Sequence, residues 1–599
     1  MKHGHIFKAI VIIVFLITAS CNDDFLETRP LDGYADPAVW GDLSLVENYI
    51  NEAYSRISEP FTSGRTLGMI VDEGHYRSGY QGPHSHTRSL LTPDDIPGWS
   101  MLTRYRSWPD LYASIRICNV FFGNLDNIPA QTPEQEVLKS RLTGEAYFLR
   151  AKFYHHLTKV FGGVPIVDRA YAPGEDFNIA RSSYEDCVEF MVNDLDMAAT
   201  LLPLTHTGAA AGRATKGAAM ALKARILMFA ASDLYNTEVF PGYLHRELIG
   251  YTGGNQQQRW QRARDAAKEV IDLGVYSLYN RNPDPVQNYV EYFISRETEE
   301  DIFWRYYTSA IWNRNIIGRT SESPGWFGGG FNTPLGDLVD DMEMADGSKF
   351  DWGNPEHAAL PYENREPRFY ANILYDGATW RPRDAGLTRI DPIGIVQTGG
   401  YEEWDETTNS IIIEHGLDSP GSKDIWLSHE ASYTGYYLRK FSDPAKLHLN
   451  ESQDGSYRWL RYGEILLNYA EACIELGDFE EARTYINMVR DRAGLPGVTE
   501  SGNELRERYR KERRIELMFE DHRYFDVRRW VIGPEAYDKE VSAVEIVYEL
   551  QEDKTTAEIP TVTAYKFEKW EWHDRAYFHP ILRTEMLRND LLVQNPYYE

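Results

Sequence analysis

The sequence predicts a mostly α-helical protein, a tetratricopeptide-like helical-repeat scaffold with an inserted, irregular, loop-rich lobe containing short strands. Three observations carry this reading. Residues 461–493 have the offsets of a helix pair: Ala470, Ala482, Ile486 and Val489 fall where two helices approach closely, and Gly477-Asp478 supplies the turn. A second, weaker pair places Ala218, Ala221 and Ala224 opposite Ala263, Ala266 and Ala267. Between the pairs, residues 280–456 are rich in Gly, Pro, Asn and Trp, and their periodic runs are short.

Lys2 and Lys8 give the chain a positive start before the apolar run Ala9–Thr18, and Ala19-Ser20 precede Cys21. The run is shorter than the roughly 20 residues a membrane helix needs, so residues 1–20 read as a secretory leader. Small residues directly before a cysteine suggest a lipobox, with Cys21 acylated and residues 21–37 as a tether. An acyl anchor on a polar body means anchored rather than spanning.

Helices follow in order. Val39–Ile57 is the first. Trp108–Leu125 has an apolar face at three- and four-residue spacing. Glu134–Phe161 is long, and Phe161-Gly162-Gly163-Val164-Pro165 ends it. Ser182–Leu202 opens on Ser182 or Ser183 as N-cap. Thr215–Tyr235 and Trp260–Leu273 form the alanine-rich pair. The scaffold therefore occupies 38–279 and 457–599, with the lobe at 280–456. Strands are expected at Ser410–Glu414 and Tyr436–Phe441, and helices resume at Tyr457. Arg508, Glu512 and Glu516 stand four apart and are expected to pair along one helix face, a structural feature.

The composition suits a large soluble body, with 42% hydrophobic residues and a mean hydropathy of −0.49. A net charge of −29 repels phosphate backbones and argues against nucleic-acid partners. Beyond Cys21, the cysteines Cys118, Cys187 and Cys473 are odd in number and read as buried thiols. No nucleophile elbow, phosphate loop or Rossmann fingerprint is present. His84-Ser85-His86 and His155-His156 lack helical metal-ligand spacing, and inside a helix at most one of His155 and His156 faces a given partner. The acidic run Asp337, Asp340, Asp341, Glu343 and Asp346 lacks EF-hand offsets. No metal and no cofactor are assigned.

The aromatics are more informative, with 39 Tyr and 15 Trp. A sugar site needs flat aromatic faces together with planar polar groups for hydroxyls, and loops place both at once. Two loop clusters have this make-up, Val71–Tyr105 and Ile311–Phe331. Trp99, Trp312 and Trp326 are the candidate stacking platforms, with Tyr80 and Phe327 beside them. Asp72, Arg77 and Asn313 are the candidate hydroxyl partners. Trp352, Trp380 and Trp404 are further candidates.

Two motifs, Arg461-Tyr462-Gly463-Glu464-Ile465-Leu466-Leu467-Asn468-Tyr469-Ala470-Glu471-Ala472 and Arg513-Arg514-Ile515-Glu516-Leu517-Met518-Phe519-Glu520-Asp521-His522-Arg523-Tyr524-Phe525-Asp526, resemble the C-terminal signature of the SusD/RagB family. The segment Val160–Val167 matches as well. Asp521 and Tyr597 stand where the family pattern usually has Gly, which puts local turn geometry in question. The resemblance implies a SusD-like α-α superhelix over almost the whole mature chain. It implies an outer-membrane lipoprotein, with Asn22-Asp23-Asp24 resembling the surface-export signal of Bacteroidetes lipoproteins. It also implies a non-catalytic glycan binder that passes its cargo to a SusC-like TonB-dependent transporter. Peptide cargo of the RagB type and a surface glycoside hydrolase are the alternatives.

Overall fold

The computed structural model describes residues 36–57, 60–76, 81–96, 107–172, 174–308, 315–384, 386–446 and 452–598. The leader, Cys21 and the start of the tether lie outside the described residues.

The scaffold is built from helices, most of them packed on a neighbour in the chain. It runs α1 (Leu43–Ser55), α2 (Gln81–Thr87), α3 (Trp108–Gly123), α4 (Pro133–Phe161), α5 (Tyr184–Leu201), α6 (Lys216–Ala231) and α7 (Gln256–Asp272). Polar caps start these helices where the sequence offers them. The side chains of Thr132, Ser183 and Thr215 accept the N–H groups of Gln135, Asp186 and Ala218, satisfying donors that the first turn leaves open. After α7 the chain enters the lobe through α8 (Pro285–Ile294). It returns at α9 (Tyr462–Leu476), which packs directly on α7 and then on α10 (Phe479–Arg492). Ala218, Ala221, Ala224, Ala263, Ala266, Ala267, Ala470 and Ala482 are all buried at these contacts. The turn at Gly477 has φ +84°, and Asp478 N–H reaches Cys473 O at 2.8 Å. The fold is thus mostly helical, a helical-repeat scaffold carrying a small strand-containing lobe.

Strand content exceeds what the sequence suggested. Helix does not resume at Tyr457. Gly455–Arg461 (β8) first pairs antiparallel with Asp301–Tyr307 (β2). Its short apolar-aromatic run is ambiguous by periodicity, and the distant partner decides it. Glu540–Tyr548 (β9) and Thr561–Lys569 (β10) join Gly400–Asp405 (β5) and Ser410–His415 (β6) in one sheet ordered β10-β9-β5-β6. The expected Tyr436–Phe441 strand shrinks to Tyr437–Leu438 (β7), paired with Ile373–Leu374 (β4). The first helix is divided, with Asp36–Trp40 ending before Asp42 caps α1.

The charged helix α11 (Gly502–Glu516) corrects a second expectation. Arg508, Glu512 and Glu516 are bonded to other elements rather than along the helix. Arg508 meets Glu343. Glu512 is held by Arg368 at 2.5 Å and Arg490 at 2.7 Å. Glu516 is held by Arg461 at 2.9 Å and Arg492 at 2.5 Å, with Tyr289 also donating to it. Burial opposes the charge on Glu516, but Arg492, Arg461 and Arg368 hold its carboxyl far below the usual range. The network sews α8, β8, α10 and α11 together. Breaking one buried partner of such a set costs several kcal/mol, on the order of 3–5.

Candidate ligand-binding face

Two short strands bring the two aromatic loop clusters together. Gly74–His75 (β1) pairs with Thr333–Pro334 (β3), and Thr333 Oγ1 donates to His75 O at 2.7 Å. Beside them Asn332 is fully buried and fully used. It accepts from Thr66 N and Oγ1 at 3.0 and 3.2 Å, and donates to Gly64 O and Ser321 Oγ at 2.9 and 3.0 Å. Gly64 has φ +68°, and a Cβ there would lie 2.3 Å from Thr320 Oγ1, so glycine is required.

This junction sets Tyr76 against Phe331 at 5.5 Å, with the Arg65 guanidinium over both rings at 5.6 and 5.3 Å. The band continues onto β10. The Phe567 ring lies 5.1 Å from His75, and the hydroxyl of exposed Tyr565 donates to the backbone oxygen of exposed Tyr433 at 3.3 Å. Glu568 anchors this edge, meeting His75 Nε2 at 2.9 Å, His84 Nδ1 at 3.1 Å and Arg88 at 3.4 Å. Burial opposes its charge, but the bonds from His75 and His84 hold its carboxyl well below the usual range.

The loop after β2 adds two residues facing opposite ways. Trp326 is 3% exposed. Its indole N–H donates to Arg381 O at 3.2 Å, the Arg383 guanidinium covers its ring at 3.5 Å, and Trp380, Val396 and Tyr437 pack around it. It offers no free face, so here it is a loop anchor rather than a stacking platform. Phe327 follows with φ +60° and is 40% exposed. Gly330 lies so close to Glu430 that a Cβ would come within 2.5 Å of its oxygen, which brings the Phe327 loop against the loop carrying Trp426. That indole is 89% exposed, while its neighbour Ile425 is buried with Leu387 and Leu417. Trp426 escaped the sequence reading. Its signal was its place in a segment without periodicity, between Gly421 and Gly435.

Asp72 is 2% exposed and pairs bidentately with Arg523, at 2.9 Å to each oxygen, with Arg514 at 3.4 Å. Its carboxylate is committed to the scaffold rather than to a hydroxyl. Trp99, Trp312, Tyr80, Arg77 and Asn313 lie outside the described residues. Trp380 is buried beside Trp326, Trp352 donates to Asp340 at 3.0 Å, and Trp404 lies under Lys554 at 4.6 Å. The acidic run is dispersed, with Asp337 toward Lys539, Asp341 toward Arg514 and Glu343 toward Arg490. Among the described residues no cluster of His, Cys, Asp and Glu has metal-site geometry. The three thiols are buried and free, each pushed up to about 12 by burial.

Fold and face together define a class: a helical-repeat scaffold presenting a loop-built aromatic surface. The chain belongs to the SusD family, whose model matches residues 291–598. A second model, described as starch-binding associating with outer membrane, matches residues 45–228. A SusD-like protein of Formosa agariphila is 24% identical over 555 residues, covering 89% of this chain and 92% of that protein. The crystal structure of a SusD-like protein from Bacteroides fragilis superposes with a TM-score of 0.73 at 29% identity, over 95% of this chain and 100% of that one. A SusD-like carbohydrate binding protein from the same species gives 0.70 at 23% identity, over 93% and 100%.

Proposed function

We propose that this protein is a non-catalytic glycan-binding lipoprotein of the outer-membrane surface, anchored through Cys21. It captures oligo- or polysaccharide and delivers it to a SusC-like TonB-dependent transporter. The observation that carries this reading is the exposed aromatics at the end of the band, above all Trp426 and Phe327 on two loops packed side by side. Aromatic faces held by a rigid scaffold meet the C–H face of a sugar ring, at about 1 kcal/mol per ring. A few such contacts with solvent-exposed hydrogen bonds give micromolar to millimolar affinity, which suits a protein that hands its ligand on. The family model's description supports outer-membrane association, and the Bacteroides fragilis relative described as carbohydrate binding supports the cargo. Trp99, Trp312, Tyr80, Arg77 and Asn313 remain proposed contacts on sequence grounds.

Two buried carboxylates beside this face are not placed to act as a glycosidase acid. Burial pushes Glu73 and Glu322 up to about 8, but both are sealed from solvent, whereas a glycosidase acid must reach its substrate.

The test uses soluble protein starting at Asn22. Affinity electrophoresis against plant, microbial and host polysaccharides is run with a reducing-end assay in parallel. Retardation by a glycan without new reducing ends, lost in Trp426→Ala, supports the reading. No retardation across the panel moves peptide cargo to the front, and new reducing ends mean an enzyme.

A further inference from the structure

Strand β6 (Ser410–His415) ends its sheet: among the described residues it pairs with β5 on one side and with no strand on the other. Its register against β5 has no bulge, running from Asp405 opposite Ser410 to Gly400 opposite His415. Backbone N–H and C=O groups alternate in direction along a strand, and two bonds fix the phase here. Gly416 N–H donates to Gly399 O at 2.9 Å, into the sheet. The carbonyl of Glu402, which stands opposite Ile413, turns away from β6 to accept Thr556 Oγ1 at 2.9 Å. Ser410, Ile412 and Glu414 therefore direct their backbone groups toward β5, while Ile411 and Ile413 direct theirs outward.

Side chains alternate in step. Ile411 and Ile413 share a face with Trp404 and Glu402. The loop 549–557 covers that face over β5: Leu550 N–H donates to the Glu402 carboxylate at 3.0 Å, and Lys554 Nζ lies 4.6 Å from the Trp404 ring. It leaves β6 open, with Ile411 52% and Ile413 55% exposed. Soluble proteins protect sheet edges with lysine, proline, a bulge or a covering element. Residues 410–413 have no charge, no proline and no bulge. Glu414, the one acid of the strand, is matched by Lys423 at 2.6 Å.

We propose that β6 is a self-association edge, which pairs antiparallel with β6 of a second copy of this chain about a two-fold axis at Ile412. A strand of any sequence could meet the outward backbone groups, but this one is complementary to itself. With the axis at Ile412, Ile411 stands opposite Ile413 of the second copy. Both direct their backbone groups outward, so each such pair exchanges both of its bonds. The exposed isoleucines of two copies then close into one apolar patch. Ser410 falls opposite Glu414 of the second copy, hydroxyl beside carboxylate, and no like charges face each other across the strands. An axis at Ile413 would instead set Ile412 against Glu414 and carry the pairing to His415, which the loop at Gly421 flanks so closely that a Cβ there would lie 3.0 Å from the imidazole. The net charge of −29 opposes association at long range, but exposed charges more than about 8 Å apart are screened at physiological salt. Strands β6 and β10 are opposite ends of the sheet, so pairing at β6 does not depend on what the aromatic face binds.

A single strand pair buries less than the roughly 1,200 Å² of a standard interface, so a dissociation constant on the order of 100 μM is expected. Sedimentation equilibrium of soluble protein starting at Asn22, from about 5 μM to about 1 mM in roughly 0.15 M salt, measures it. Ile413→Lys, at an exposed position, is expected to weaken association at least about tenfold. Ile413→Pro removes an outward donor while leaving the bonds to β5, and should weaken it similarly. Ile412→Cys tests the register. Ile412 meets its own copy at a pair whose backbone groups point inward, the closer kind of antiparallel pair, so mild oxidation should link two copies faster through Ile412→Cys than through Glu414→Cys. Cys118, Cys187 and Cys473 are buried and do not compete. A monomer at every concentration overturns the proposal, as does a monomer that binds an unrelated extended peptide at this edge. So does a dimer whose dissociation constant is unchanged in Ile413→Lys and Ile413→Pro variants of native circular dichroism, or faster linking through Glu414→Cys.

Discussion

Asp72 and Arg523 stand 451 residues apart in sequence, yet two hydrogen bonds of 2.9 Å join them. The pair locks the loop that begins the aromatic band onto the first turn of α12 (Arg523–Arg529). Arg514 reinforces the link by donating to the backbone oxygen of Asp72.

Asp72→Asn removes one charge and leaves Arg523 and Arg514 facing a neutral amide. A loss of roughly 3–5 kcal/mol in urea denaturation at pH 7 is expected. The folded carboxyl lies well below its ordinary 3.8 because Arg514 and Arg523 outweigh burial. Its contribution is therefore complete above pH 3.8 and is lost as pH falls toward the folded pKa. The gap between wild type and variant narrows over that acidic range.

Glu73 titrates with the opposite sign. Burial raises its carboxyl from 4.5 to about 8, so the folded state holds a proton that the unfolded chain releases. Stability from this group is full below pH 4.5 and declines as pH rises toward 8. Glu322 shares the direction and the window. Thermal melts of Glu73→Gln across pH 5–8 are expected to fall less than those of wild type.

Trp326 and Trp426 separate packing from binding. Trp326→Ala empties a covered site and is expected to cost about 3–5 kcal/mol. Trp426→Ala touches an open indole and should shift stability by no more than about 0.5 kcal/mol. Retardation in a glycan gel should instead fall about fivefold, the loss of one stacked ring. Equal stability losses in both variants would contradict the assignment of Trp426 to the open face.

Asp521 and Tyr597 occupy positions where the family pattern favours Gly, and both adopt the left-handed backbone that Gly enters freely, at φ +66° each. An L-residue there carries about 1–2 kcal/mol of strain. Tyr597→Gly, at an exposed position, is expected to raise the melting midpoint unless its 5.8 Å contact with Phe240 offsets the gain. Asp521→Ala keeps the strain and loses the acceptor for Leu67 N–H, so it should destabilise more than Asp521→Gly. Melting curves of the three variants check the order.

What was legible in the sequence follows one physical division. The helices were readable because their signals are local: apolar spacing along 134–161, the hydroxyls of Ser183 and Thr215 as caps, and Gly477 at a turn needing positive φ. Strands β8, β9 and β10 were missed because a strand is decided by a partner that can lie far along the chain, as β2 is for β8. The same holds for the charges on α11, whose spacing suggested pairing along the helix while stronger partners waited on β8, α10 and the lobe.

The sequence by itself determined the scaffold, the family signature and the two loops rich in aromatics. Only the tertiary structure decided which of those aromatics meet water. Trp326 and Phe327 are adjacent in sequence and face opposite ways, because Arg381 and Arg383 claim the indole while a left-handed residue turns the next ring outward. Residue type marks what a side chain can do. Whether its face is free depends on neighbours some fifty residues away, as with Arg381 and Trp326, or several hundred, as with Asp72 and Arg523.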